Sequence, residues 1–148
     1  MITDKLNSVT IEIKKNYFST IYLFIGLSSV FFFTWTGKYL RTFYPDKQNL
    51  EMGFRVMLRS RHIFILLVSL LEIGIGVYIH QCSRKIYLSI QWLATVLLFV
   101  AHLLFIYAFF YEVEIVNIPK TPILHYATYI ALASLILHIL TKFESKLK

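Results

Sequence analysis

One acid and five histidines in the apolar stretches of this 148-residue chain suit proton transfer or metal ligation: Glu72, His62, His80, His102, His125 and His138. Three kinds of chemistry suit such residues. Two histidines on different helices, level with each other and facing inward, can hold a haem iron axially. His80 and His138 fit that requirement, which makes haem b the cofactor of a redox alternative. An acid and an imidazole inside a membrane can form a proton relay. Glu72 and His102 fit that one, with Gln91, Thr95 and Ser69 beside them, as part of a proton- or ion-coupled transporter. A metal or catalytic centre would draw on His62, His125, Glu112 and Glu114 at one end of the apolar stretches. None of these has the His spacing of a strong metal motif, and no nucleophile–base arrangement is recognisable. The reading leans away from an enzyme.

The elements that would position these residues are legible from charge. Four windows are free of charge or nearly so: 22 residues between Lys15 and Lys38, 22 between Arg61 and Arg84, 26 between Lys85 and Glu112, and 21 between Lys120 and Lys142. About 20 apolar residues span the hydrocarbon core of a bilayer as a helix. The windows therefore predict spans over about 16–37, 62–83, 86–111 and 121–141. Only Glu72 breaks the second window, and it falls at the centre. An ionisable group there costs about 2.5–3.5 kcal/mol on insertion scales and requires a partner. No Lys or Arg lies inside any window. The available partners are His102, Gln91, Thr95, His138, Ser29 and Tyr22, and with a histidine one proton would be shared.

Composition agrees. The chain is 57% hydrophobic, 17% aromatic and 16% charged, and its mean hydropathy is +0.65. Soluble domains carry about 25% charged residues. The net charge of +7 comes from residues that flank the spans, as anchors to lipid headgroups do, which argues against nucleic acid as a partner. Arg55, Arg59 and Arg61 are expected to be such anchors. The single cysteine, Cys82, excludes an intramolecular disulfide. It is expected to be an unmodified buried or interfacial thiol, with S-acylation as the alternative.

Each span has one small-and-polar stripe. In the first it is Ser19, Tyr22, Gly26, Ser29, Phe33 and Thr36; in the second His62, Ser69, Glu72, Gly76 and His80. In the third it is Gln91, Thr95 and His102; in the fourth Ala127, Ala131, Ser134 and His138. In lipid such stripes are where helices meet, because small residues let backbones approach. Trp35, Tyr39 and Tyr44 suit an interfacial aromatic belt. Between spans one and two, Tyr44-Pro45-Asp46 signals a turn and Asn49 can cap a helix. Leu50, Phe54, Met57 and Leu58 then suit either an amphipathic helix at the interface or an extension of the second span.

The stretch from Arg59 through Arg61 and His62 to Glu72 and Gly76 resembles the second-span region of small uncharacterised four-span bacterial membrane proteins. The resemblance covers about 20 residues, rests on Arg59, His62 and Gly76, and implies a four-span layout and no activity.

The expected fold is all-α: one transmembrane domain over residues 1–148, an up-down-up-down four-helix bundle with both termini on one side. Eight Lys and Arg flank the spans on the termini side and seven on the other. This small excess leans to cytoplasmic termini, in a plasma or inner membrane if the source is bacterial. The expected function is that of a non-enzymatic subunit or scaffold of a membrane complex, its partners being the bilayer and either other membrane proteins or further copies of itself.

Overall fold

A computed structural model describes residues 17–46, 49–114 and 122–142. It is all-helical among these residues: α1 Tyr17–Phe43, α2 Met52–Tyr78, α3 Lys85–Glu114 and α4 Pro122–Lys142. All four helices are long and apolar enough to cross a membrane. A helix satisfies its own backbone hydrogen bonds, which is what an apolar surrounding demands of a crossing segment. The N-terminal tail and the 115–121 connection lie outside the described residues.

The inward faces are the small-and-polar stripes. Tyr22, Gly26, Ser29 and Thr36 of α1 are buried, as are Ser69, Glu72 and Gly76 of α2. Ala127, Ala131 and Ser134 do the same for α4, and Gln91, Thr95 and His102 for α3. The outward faces are large and apolar: Phe24, Phe31, Leu67, Leu103 and Ile136 are all exposed. Contiguous apolar surface of this kind is rare on soluble monomers and suits a lipid surround.

α1 and α2 approach closely through two glycines. A Cβ on Gly26 would lie 2.7 Å from Ile73 Cγ1 and 3.0 Å from the backbone N of Ile73 and O of Ser69. A Cβ on Gly76 would lie 3.0 Å from Leu23 N and Tyr22 Cβ. Early α1 thus meets late α2. Late α1 meets early α2 where Thr36 Oγ1 and His62 Nδ1 are 3.0 Å apart. α3 packs on α4 and, less extensively, on α2. Aromatic pairs join α1 to α3, with Phe18 against Trp92 and Tyr22 against Phe99.

The second helix departs from the window drawn for it. It begins ten residues before His62 and ends at Tyr78, five short of residue 83. Its first turns are residues 52–59, so Phe54, Met57 and Leu58 extend the helix while Leu50 precedes it; a separate amphipathic helix is not seen among the described residues. The N-cap is Glu51, without a side-chain capping bond, and not Asn49. At the other end Ile79 turns extended and its N–H reaches Ile75 O at 2.7 Å. His80 consequently lies outside the helix, off the stripe assigned to it. α1 also runs past its window, through Lys38 and Arg41 to Phe43.

Candidate functional site

The centre of the interior is Glu72 on α2. Its carboxylate is fully buried, and Oε1 lies 2.7 Å from Nδ1 of His102 on α3, itself 4% exposed. The stripe Ile65, Ser69, Glu72 and Gly76 aims the acid inward from α2. Gln91, Thr95, Leu98 and His102, spaced by three and four residues, aim the imidazole from α3. The two atoms are at hydrogen-bond distance, and the tautomer of the imidazole sets which of them donates. On the outer sides of the pair, Glu72 Oε2 and His102 Nε2 are buried and have no hydrogen-bond partner among the described residues. A buried polar atom left so is costly.

A second interior contact adjoins the first. The Tyr22 hydroxyl of α1 lies 2.8 Å from His138 Nε2 on α4, and the two rings meet edge to face. Tyr22 also neighbours Thr95 and Glu72. On α4, Ser134 Oγ donates to Ala94 O of α3 at 2.7 Å. On α1, Ser19 Oγ donates to Gly76 O of α2 at 2.6 Å.

Gln91 takes a different part from the one the sequence offers it. Its Nε2 donates to His80 O at 2.9 Å, and its Oε1 accepts from Cys82 N–H at 3.2 Å. A buried amide at the start of α3 thereby clasps the chain between α2 and α3. Thr95 Oγ1 donates back to Gln91 O. Of the four relay residues, the structure brings Glu72 and His102 into direct contact, sets Thr95 near Tyr22, and gives Gln91 to the connection.

His80 is exposed, its Nδ1 3.0 Å from Tyr78 O. It and His138 line one cavity of about 970 Å³. His138 Nε2 is already engaged by Tyr22. At the opposite end, His62 stacks on Phe33 with ring centroids 4.0 Å apart, and His125 is exposed. The side chains of Glu112 and Glu114 lie outside the described residues. Among the described residues, no three His, Cys, Asp or Glu are grouped as metal ligands. Arg59 is exposed and Arg55 half-buried. Arg61 departs from the anchor role, being 1% exposed on the inward stripe with Leu58 and Ile65. Cys82 is half-buried, with Sγ 3.8 Å from Thr141 O.

Two contacts had no signal in the sequence. Tyr22 stands on an inward stripe, but nothing local pairs it with His138, 116 residues away. Gln91 likewise carries no local sign that it will hold a loop.

Fold and interior together define a small all-helical protein with four candidate membrane spans and a buried acid–imidazole contact at their core. No family model, curated protein or solved structure matches the chain.

Proposed function

We propose that this chain is a small multi-pass integral membrane protein that acts as a non-enzymatic subunit or scaffold of a membrane complex. The observation that carries the reading is a closed ring of side-chain ties. Ser19 with Gly76 joins α1 to α2, Glu72 with His102 joins α2 to α3, Ser134 with Ala94 joins α3 to α4, and Tyr22 with His138 joins α4 to α1. Interior polar groups are thereby spent on holding helices together, each such bond contributing about 0.5–2 kcal/mol in a membrane. The outer faces stay apolar and continuous, as contact with lipid and with partner helices requires.

The pairing of early α1 with late α2 supports an up-down-up-down order, and the contact of Tyr22 with His138 supports termini on one side. The resemblance around Arg59 and Gly76 points to the same layout. With eight basic residues against seven, the termini are assigned to the cytoplasm of a plasma or inner membrane.

One observation favours a second reading, a component of a proton-coupled transporter. Glu72 Oε2 and His102 Nε2 stand at opposite sides of the hydrogen-bonded pair, both without partners among the described residues. A proton taken up at one could be matched by one given up at the other.

Purification from native membranes in mild detergent separates the two. The subunit reading expects the 17.4 kDa chain in a complex of defined stoichiometry with other membrane proteins or with itself, formed equally well by Glu72→Gln. A lone monomer that carries protons into liposomes, with flux lost in Glu72→Gln, would replace it with the transporter reading.

A further inference from the structure

A cavity lies between the end of α2 and the end of α4, and of the residues in the ring of ties only His138 reaches its wall. Its volume is about 970 Å³, at the upper end of the range of pockets that enclose small molecules. Leu71, Gly74 and Ile75 wall it from α2, and Leu135 and Ile139 from α4. Gly74 is the key to its openness. A Cβ at Gly74 would meet no atom within 4 Å, whereas one at Gly76, two residues on, would press into α1. The helix thus turns one glycine to its neighbour and the other to the space beside α4.

The cavity is apolar along its length and polar at one end. There His80, His138 and Lys142 join the wall. Lys142 Nζ reaches from α4 to Tyr78 O at 3.3 Å and lies 6.0 Å from the centre of the Tyr78 ring, so its ammonium is held at that end. Arg84 and Lys85 follow directly after Ser83, which also lines the wall. No acid is among the lining residues. The gradient runs along the helix axes, which in a membrane is the direction in which lipids lie.

We propose that this cleft binds an acyl-chain amphiphile with an anionic head, the chain along Leu71, Gly74, Ile75, Leu135 and Ile139 and the head at Lys142 and His80. Charge complementarity selects the head: a carboxylate or phosphate takes charge-assisted hydrogen bonds from an ammonium, whereas a cationic head would face Lys142 with Arg84 and Lys85 close by. A free fatty acid and an anionic phospholipid share this chemistry.

Photolabelling of the full-length chain in neutral-lipid nanodiscs tests the proposal. The probes are a diazirine-bearing palmitate and a phosphatidylglycerol carrying the same diazirine chain, with labelled peptides mapped by mass spectrometry. Labelling is expected on residues 70–79 and 135–139, competed by unlabelled palmitate and not by hexadecanol. Lys142→Ala should weaken it about tenfold, the loss of one charge-assisted bond. Gly74→Leu fills the open side, favours helix, and should abolish labelling while elution and thermal midpoint stay as in the wild type. Labelling by palmitate alone identifies the fatty acid as the source, labelling by phosphatidylglycerol alone identifies the phospholipid, and labelling by both shows that the cleft reads the shared anionic head and chain. The proposal is overturned if hexadecanol competes as well as palmitate and Lys142→Ala has no effect. It is overturned equally if label spreads over the outer faces of all four helices regardless of Gly74→Leu, or if the purified protein shows a Soret band that His80→Ala removes.

Discussion

Glu72 Oε1 and His102 Nδ1 meet 2.7 Å apart in a place almost closed to solvent, joining the last third of α2 to α3. If this contact is a tie, its two ends are energetically coupled. Glu72→Leu and His102→Leu are each expected to weaken the fold by about 0.5–2 kcal/mol. The double variant should lose less than the sum, because the second change no longer leaves a buried partner unsatisfied. Unfolding in mixed micelles measures all three, and strict additivity would show that the pair does not interact.

The glycines of α2 should behave in opposite ways. Gly76→Ala, like Gly26→Ala on α1, sets a methyl group against backbone of the facing helix. Each is expected to cost about 1–3 kcal/mol, the usual range for overpacking. Gly74→Ala meets nothing and should be neutral or stabilising by up to about 1 kcal/mol from helix propensity. Thermal midpoints in one detergent would rank the three. Equal losses at Gly74 and Gly76 would contradict the close approach of α1.

Cys82 reports on the clasp made by Gln91. Gln91→Ala removes both bonds that hold the backbone of His80 and Cys82. Each is worth about 1 kcal/mol, so the 79–82 segment should open more often and maleimide should label Cys82 about tenfold faster or more. An unchanged rate would mean that Gln91 does not restrain the segment. Cys82 is the only cysteine, so no other thiol confuses the reading.

Membrane embedding is checked by position. Single cysteines placed at Leu27, Leu98 and Ala131, in a Cys82→Ser background, should resist water-soluble maleimide in intact membranes. Leu27 is exposed on the outer face of the fold, so protection there must come from lipid. Its labelling from bulk water would refute the span, whereas protection of Leu98 alone would only restate its burial.

The number of helices and their inward faces were legible because both follow from local pattern. Uncharged windows count the spans, and small-residue stripes at helical spacing mark where backbones meet. The ends of α2 were not legible, for two separate reasons. At its start, the pattern of Leu50, Phe54, Met57 and Leu58 suits an interfacial helix and an extension of the span equally, and charge does not decide between them, because a helix can carry Arg59 outward and still bury Arg61 on its inward stripe; Met52–Tyr78 runs straight through both. At its end, the chain leaves the helix where Gln91, from the next helix, binds the backbone of His80 and Cys82. That is a tertiary contact, and no residue between Ile79 and Ser83 announces it. The same holds for Tyr22 and His138. The stripes said that both face inward, and only the packed bundle says that they face each other.

Glu72→Gln tests the central claim most directly. The amide keeps donor and acceptor capacity, so it can still bridge to His102 but can no longer carry a proton through the interior. Compared with wild type in native membranes, the variant is predicted to accumulate to the same level, to unfold within about 1 kcal/mol of it, and to recover the same membrane complex on purification. A folded, stable Glu72→Gln protein that has lost its complex or its proton flux would contradict the account and make Glu72 a functional acid.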